Sequence, residues 1–384
     1  MKNTALLVAA LLFALPVSTA EKKSGQKFVL ESEDGEFALK FGTLLQLQHQ
    51  FLDVDGAGAT NGLQFRRARL NFTGNVFGKE LTYRWEFEIL SGVTNIVAEA
   101  FPHVGPNLRD GYINYDFGNG VQLQTGQFKV PFSFDALVSD TANQFIDRTI
   151  TDDVFGLERD LGVKLHGRLA EGKFDYSLHV MNEGINRGTF NNNDELLFGT
   201  RLVWNLFGHH PYSTGDPEDS EDPDLAMGIA ANFNRVGNPP AADQSMIAAT
   251  GDIAWRHRGF SAVGAGYLLR NESTNTNIFG FHVQDGYFLI PKRFEVMARF
   301  GAVIPTAAGV TNGYESTAGF GYCFKGHQLK LLTDYSFLRN SPLVLAAGAA
   351  GTNSAANSAT TGGTPGFNAG QNDHRVRTQV QLAF

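Results

Sequence analysis

Residues 81–90 read Leu81-Thr82-Tyr83-Arg84-Trp85-Glu86-Phe87-Glu88-Ile89-Leu90. Leu81, Tyr83, Trp85, Phe87 and Ile89 alternate with Thr82, Arg84, Glu86 and Glu88. Successive residues of a strand point to opposite faces, so this stretch as a strand has one apolar face and one charged face. A helix would scatter both sets around its circumference. The alternation recurs before and after it. Ala68, Leu70 and Phe72 oppose Arg67, Arg69, Asn71 and Thr73, and Phe174, Tyr176, Leu178 and Val180 oppose Lys173, Asp175, Ser177 and His179. At the end of the chain Val376, Thr378, Val380, Leu382 and Phe384 oppose Arg375, Arg377, Gln379 and Gln381.

Segments of this kind fall near 41–52, 62–74, 80–90, 109–117, 120–128, 159–169, 173–181 and 196–207. They continue near 225–234, 246–256, 259–270, 277–288, 292–303, 314–324, 327–338 and 373–384. Each is long enough for a tilted strand to cross a bilayer. The connections alternate in length. Those at 75–79, 117–120, 170–173, 257–258, 291 and 325–326 are tight, and those at 52–61, 91–108, 130–158, 182–195 and 339–372 are long. One breaks the rule: 208–224 is long yet falls on the tight side. The pattern predicts an all-β fold, a transmembrane antiparallel β-barrel of about 16 strands, with short turns at one end and long loops at the other. A soluble β-sandwich also alternates, but its wet face carries milder polarity than these rows of arginine and carboxylate.

Bulk hydropathy does not distinguish the two. The chain has 42% apolar residues and a mean hydropathy of −0.17, which suits a soluble protein and equally a barrel with a polar lumen. The first residues do help. Met1-Lys2, the apolar run 5–17 and Ser18-Thr19-Ala20 form a secretion signal with its cleavage site, too short to span a membrane. The expected organisation is therefore a signal at 1–20, a polar periplasmic lead-in at 21–36 and a barrel at 37–384 in a bacterial outer membrane. Cys323 is the only cysteine, so no disulfide within the chain is available. The net charge of −8 argues against a nucleic-acid partner. The stretch 346–370, rich in Ala, Gly, Ser, Thr and Asn, reads as a flexible loop.

Three groups of motifs add a resemblance. Phe65-Arg66-Arg67-Ala68-Arg69-Leu70 is followed by Phe77-Gly78-Lys79. Gly126-Gln127-Phe128-Lys129-Val130-Pro131-Phe132 precedes Arg148 and Phe155-Gly156-Leu157-Glu158-Arg159. Trp204-Asn205-Leu206-Phe207-Gly208 leads through Pro211-Tyr212 to Gly215-Asp216-Pro217. From about residue 40 onward the chain resembles the phosphate-selective porin O and P family. The resemblance implies a homotrimer of sixteen-stranded barrels whose third extracellular loop, here 130–158, folds inward and narrows the pore. It implies passage of anions such as phosphate or polyphosphate, bound at basic residues matching Arg66, Arg67, Lys129, Arg148 and Arg159. The terminal Phe384 matches the aromatic end that such barrels offer to the assembly machinery. Outer-membrane lipid is the surrounding partner, and neither cofactor nor catalysis is implied.

A phosphate entering a narrow pore sheds water, so fixed cations must replace that hydration. Arginine suits this because its fork pairs two oxygens and keeps its charge. Alternation adds Arg69, Lys164 and Arg168 to the lumen candidates, with His166 between the latter two. It puts Arg67 and Arg69 on the polar face and Arg66 on the lipid side or at a subunit contact, unless the strand bulges. Lys129 lies between Gly126 and Pro131, where the register is expected to break. Against a solute site, Glu86 and Glu88 face the same lumen and can pair across strands with Arg67 and Arg69. Asp147, Asp152, Asp153, Glu158 and Asp160 crowd the narrowing loop. A non-selective or cation-preferring porin, and a plugged structural or adhesive barrel, are the alternatives. A barrel enzyme would need a rim Ser/His or Asp/His set, and no motif spacing here suggests one. The acidic run 216–224 lacks the spacing of a calcium loop, and His209-His210 is too short for a metal site.

Overall fold

A computed structural model describes residues 28–56, 58–91, 107–182, 195–236, 244–340 and 370–384. The secretion signal and most of the low-complexity stretch lie outside the described residues. Sixteen antiparallel strands close into a barrel. The first eight are β2 (Ala38–Val54), β3 (Gly58–Asn75), β4 (Leu81–Ser91), β5 (Asn107–Asp116), β6 (Gln122–Lys129), β7 (Arg159–Leu169), β8 (Phe174–Met181) and β9 (Leu197–Phe207). The second eight are β10 (Asp224–Val236), β11 (Gln244–His257), β12 (Phe260–Asn271), β13 (Thr276–Ile290), β14 (Phe294–Pro305), β15 (Gly313–Lys325), β16 (Leu329–Arg339) and β17 (Asn372–Ala383). Each coincides with one of the sixteen expected segments. Closure comes from β17 pairing with β2, from Ala383 opposite Leu44 to His374 opposite Asp53.

The barrel is inside-out relative to a soluble domain. Trp85, Ile113, Leu202, Trp204, Ile229 and Val283 point outward and are exposed, as hydrocarbon requires, while Gln46, Arg69, Glu86, Asn232, Asp252 and Gln379 are buried in the lumen. No helix among the described residues is long and apolar enough to cross a membrane.

Two expectations about connections need correction. The loop predicted at 52–61 is a tight hairpin, because β2 and β3 stay paired as far as Val54 opposite Gly58. Beyond the bilayer a hairpin needs only backbone pairing, so the apolar alternation that marks a strand in sequence fades before the strand ends. The predicted lead-in contains β1 (Val29–Glu31), paired with Ala38–Lys40 of β2. The reason is an open edge: β17 stops while β2 continues. The Phe384 carbonyl accepts the Thr43 amide at 2.9 Å and the Phe28 carbonyl accepts the Phe41 amide at 3.0 Å, so β1 takes over the edge that β17 leaves.

Inside the barrel lies the connection 130–158, called here the inner loop. It carries two short helices, α1 (Phe134–Leu137) and α2 (Ile150–Phe155), capped by the side chains of Ser133 and Thr149. The apolar face of α2 docks on β12–β14. A Cβ at Gly280 would lie 2.3 Å from the Phe155 ring and one at Gly301 would lie 2.9 Å from Ile150, so these two glycines make the room for the loop. Phe155 stacks on Tyr267 with ring centroids 5.1 Å apart. The anomalous 208–223 connection also runs inward, beneath the inner loop.

Candidate functional site: the lumen and its narrowing loop

The inner loop is held to the β2–β3–β17 wall by two carboxylates. Asp140 is buried and meets Arg69 at 2.5 Å, Arg148 at 3.0 Å and Arg67 at 3.4 Å. Asp147 meets Arg377 at 2.6 Å, Arg66 at 2.9 Å and Arg67 at 3.3 Å. These clustered guanidinium groups hold both carboxyls well below the usual range, although removal from water, complete at Asp140 and partial at Asp147, acts the other way. Backbone contacts reinforce the fastening. Gln46 and Gln381 donate to the Asp140 and Thr141 carbonyls, and Lys330 donates to the Asn143 carbonyl at 2.5 Å.

Arg66 reaches Asp147 because β3 bulges. Gln46 pairs with Arg67 and the adjacent Leu47 with Phe65, which leaves Arg66 as the extra residue in the ladder. The bulge turns Arg66 inward beside Arg67, where plain alternation places it outward. Arg69 lies opposite Glu88 and bonds it at 2.5 Å, the cross-strand pair that the sequence anticipates. Arg159 is likewise taken by Asp110 at 2.7 Å and Glu86 at 3.4 Å. Arg148 is bound within the loop itself, donating to the Asp135 and Val138 carbonyls.

The register does not break at Lys129. The β6–β7 ladder runs without interruption to Lys129 opposite Arg159, because Gly126, at φ 126°, absorbs a close approach to β5 without ending the pairing. The Lys129 ammonium donates to the carbonyls of Ala136 and Val138, both at 2.7 Å, and of Leu137 at 3.3 Å. It closes the C-terminal end of α1.

Six of the eight candidates, Arg66, Arg67, Arg69, Lys129, Arg148 and Arg159, are thus committed to protein partners. Lys164 and Arg168 differ. They line a cavity of about 590 Å³ between the inner loop and the β5–β9 wall, open toward the short turn at 117–121. The Lys164 ammonium lies 5.0 Å from the centroid of the Phe128 ring. Among the described residues no carboxylate oxygen lies within the 4.0 Å ion-pair distance of it. Arg168 touches Asp175 at 3.6 Å and is 63% exposed, a weak and solvated pair. His166 faces the same space and bonds Asn114 at 2.8 Å.

Arg201 borders the cavity as well, bound to Asp252 through both nitrogens at 2.8 Å and to the Phe132 carbonyl at 2.7 Å. Asp140, Asp110 and Tyr212 are the residues of this lumen that alternation misses. Asp110 is in principle visible, as an inward carboxylate on β5. Asp140 and Tyr212 sit in connections, where no periodicity marks which way a side chain points. Among the described residues no group of histidine, cysteine or carboxylate side chains is arranged to hold a metal ion.

Residues 41–210 match the phosphate-selective porin O and P family. No curated protein sequence matches the chain. Among solved structures, the anion-selective porin from Comamonas acidovorans superposes with a TM-score of 0.61 at 14% identity, covering 91% of this chain and all of that one. OmpF of Salmonella typhi, in a complex with daunomycin, gives 0.60 at 12% identity, with 92% and 100% coverage. The trimer form of OmpT from Vibrio cholerae gives 0.52 at 12%, with 90% and 99% coverage. The fold is that of outer-membrane porins. The match over 41–210, joined to a closed sixteen-stranded barrel like those of outer-membrane porins, makes this chain similar to the phosphate-selective porin O and P family over that stretch.

Proposed function

We propose that this protein lets small hydrophilic anions, phosphate among them, diffuse passively across the outer membrane, and that Lys164 and Arg168 are the cations those solutes meet. The carrying observation is the division of charge in the lumen. The loop carboxylates Asp140, buried, and Asp147, half-buried, are saturated by arginines, whereas Lys164 faces the open cavity without a carboxylate partner among the described residues. A fixed ammonium of this kind replaces lost hydration for an anion and repels a cation. Because one lysine and one solvated arginine bind less tightly than a closed arginine cage, release into the periplasm stays fast.

On this reading residues 1–20 are removed, 21–36 lead into the barrel from the periplasm, and Phe384 at the end of β17 is the handle for the assembly machinery. The protein acts as a homotrimer, like the trimer form of the Vibrio neighbour. Hydrogen-bonded polar groups on the outward face of β2–β3 and β16–β17 support a contact there: His49 with Asn61 at 2.6 Å and Tyr335 with His374 at 2.7 Å.

The test is the zero-current potential of the refolded protein in a planar bilayer under a salt gradient, with phosphate then added during chloride conduction. Anion preference with phosphate block supports the reading. A cation-preferring potential without block sinks it and leaves a general porin, and absence of discrete conductance points to a plugged structural barrel.

A further inference from the structure

The connection 208–223 is far longer than β9 and β10 need. They are adjacent antiparallel strands, and the other turns at the same end are confined to 76–80, 117–121, 170–173, 258–259, 291–293 and 326–328. The extra length is well ordered by specific bonds. The Thr214 amide donates to the Ala142 carbonyl at 3.0 Å, and the Thr214 hydroxyl accepts the Gln144 amide at 2.7 Å, which joins this segment to the inner loop. Ser213 bonds His327 at 3.2 Å. Asp216 is fully buried and accepts the Ser220 and Gly259 amides, both at 2.9 Å.

His210, Thr214 and Asp216 are buried, yet Tyr212 between them keeps 38% of its surface exposed. Its ring packs on Phe134 at 5.6 Å between centroids. Its hydroxyl accepts from Arg201 Nε at 3.2 Å, and Arg201 is itself fixed by Asp252. A rigid phenol is therefore presented to the cavity that Lys164 lines.

We propose that 208–223 is a second constriction, entering from the short-turn end, and that Tyr212 makes the cavity behind it favour organic anions with a flat apolar body over inorganic phosphate. Bare phosphate is best held by donors on every side. Here two of the cations lie against aromatic rings, Lys164 over Phe128 and Arg201 at 5.8 Å over Tyr212 itself, and Pro131 and Leu137 add apolar wall among polar side chains such as Gln122, His166 and Asp175. An aromatic carboxylate can stack on Tyr212 while its charged end meets Lys164. The inference rests on the anion reading above.

The test uses the full-length mature protein in planar bilayers, comparing block of chloride current by benzoate and by phosphate. Benzoate is expected to block at about fivefold lower concentration than phosphate, the worth of one good aromatic stack. Tyr212→Ala should raise single-channel conductance and bring the two blockers level, leaving the phosphate block as it was. Tyr212→Phe, which keeps the ring, should retain the benzoate advantage. Lys164→Gln should weaken both blockers together.

Equal block by both anions in the native protein overturns the solute preference. Unchanged conductance in Tyr212→Ala overturns the constriction. An independent check is Tyr212→Cys in a Cys323→Ser background: a sulfonate thiol reagent should cut the current, and failure to do so puts residue 212 outside the conducting path and overturns the proposal. A cation-preferring potential in the native protein instead overturns the anion reading, and the solute preference with it, while the conductance of Tyr212→Ala still judges the constriction.

Discussion

Arg67 and Arg69 on β3 and Lys164 and Arg168 on β7 are both short rows of inward cations on barrel strands, yet they end in different roles. The β3 row meets Asp140 and Asp147 of the inner loop and is sealed beneath it, with Arg67 and Arg69 both buried. The β7 row faces a cavity that the loop does not fill. The difference lies in what the loop brings opposite each row. A guanidinium buried against a carboxylate is fastening, because breaking such a pair strands a charge in a poorly solvated place. An ammonium that lines a cavity beside an aromatic ring, with no carboxylate within ion-pair distance among the described residues, is left to meet a solute. Counting basic residues on the lumen face therefore overstates how many are there for transport.

The contrast can be broken at several points. The largest effect is expected from Asp140→Asn, which leaves Arg67, Arg69 and Arg148 short of a charge. Removing one partner from such a buried set costs about 3–5 kcal/mol, here in the docking of the inner loop. The strand ladder is untouched, so the barrel should still migrate as a folded band on unheated gels while residues 130–158 become open to protease. A variant as resistant as the native protein would show that the ion pairs do not fasten the loop.

On the opposite wall, Lys164→Glu should turn an anion-preferring zero-current potential toward cations while leaving the loop protease-resistant. If the potential does not move, Lys164 is not in the conducting path.

A smaller effect is expected at the bulge. Arg66→Ala removes one of three guanidiniums at Asp147, and Arg67 and Arg377 remain, so docking should weaken by about 1.5–3 kcal/mol, the range for a charged hydrogen bond. Open-channel noise should rise modestly with selectivity unchanged.

The smallest effect concerns pH. Burial pushes the Asp152 carboxyl from 3.8 up to about 7, with Asp135 and Glu158 adding repulsion that Arg148 and Lys129 only partly offset. Burial, with Asp152 and Glu315 nearby, raises Asp153 as well. A carboxyl whose docked pKa is raised holds its proton in the docked loop, so the contribution of Asp152 to docking is full below 3.8 and is lost as pH rises toward 7, while Asp140 and Asp147, held low, keep fastening the loop across that window. Open-channel noise should climb across that window, and Asp152→Asn should flatten the climb.

The barrel was legible because bilayer and lumen impose the same demand on every residue pair along a strand. One apolar and one polar side chain per step is a pattern that survives without any partner in view. The inward placement of Arg69 and Glu88 followed from it directly. Arg66 did not, since a single extra residue in the ladder reverses a side chain and nothing in Phe65-Arg66-Arg67 marks which residue is extra. The β2–β3 hairpin was misjudged for a related reason. Past the membrane, pairing continues without the outward apolar residues that advertise it.

By itself the sequence determined the fold class, the strand count, the inward cations on β3 and β7, and the loop that narrows the lumen. All of these rest on local alternation, on chain punctuation and on motifs that residues 41–210 share with the phosphate-selective porin O and P family. The tertiary structure alone decided which cations are spent and which remain. That choice depends on where the aperiodic connections 130–158 and 208–223 set down Asp140, Asp147 and Tyr212 against walls distant in sequence. Coulomb attraction and exclusion of water act over a few ångströms of space, and no spacing along the chain encodes that distance.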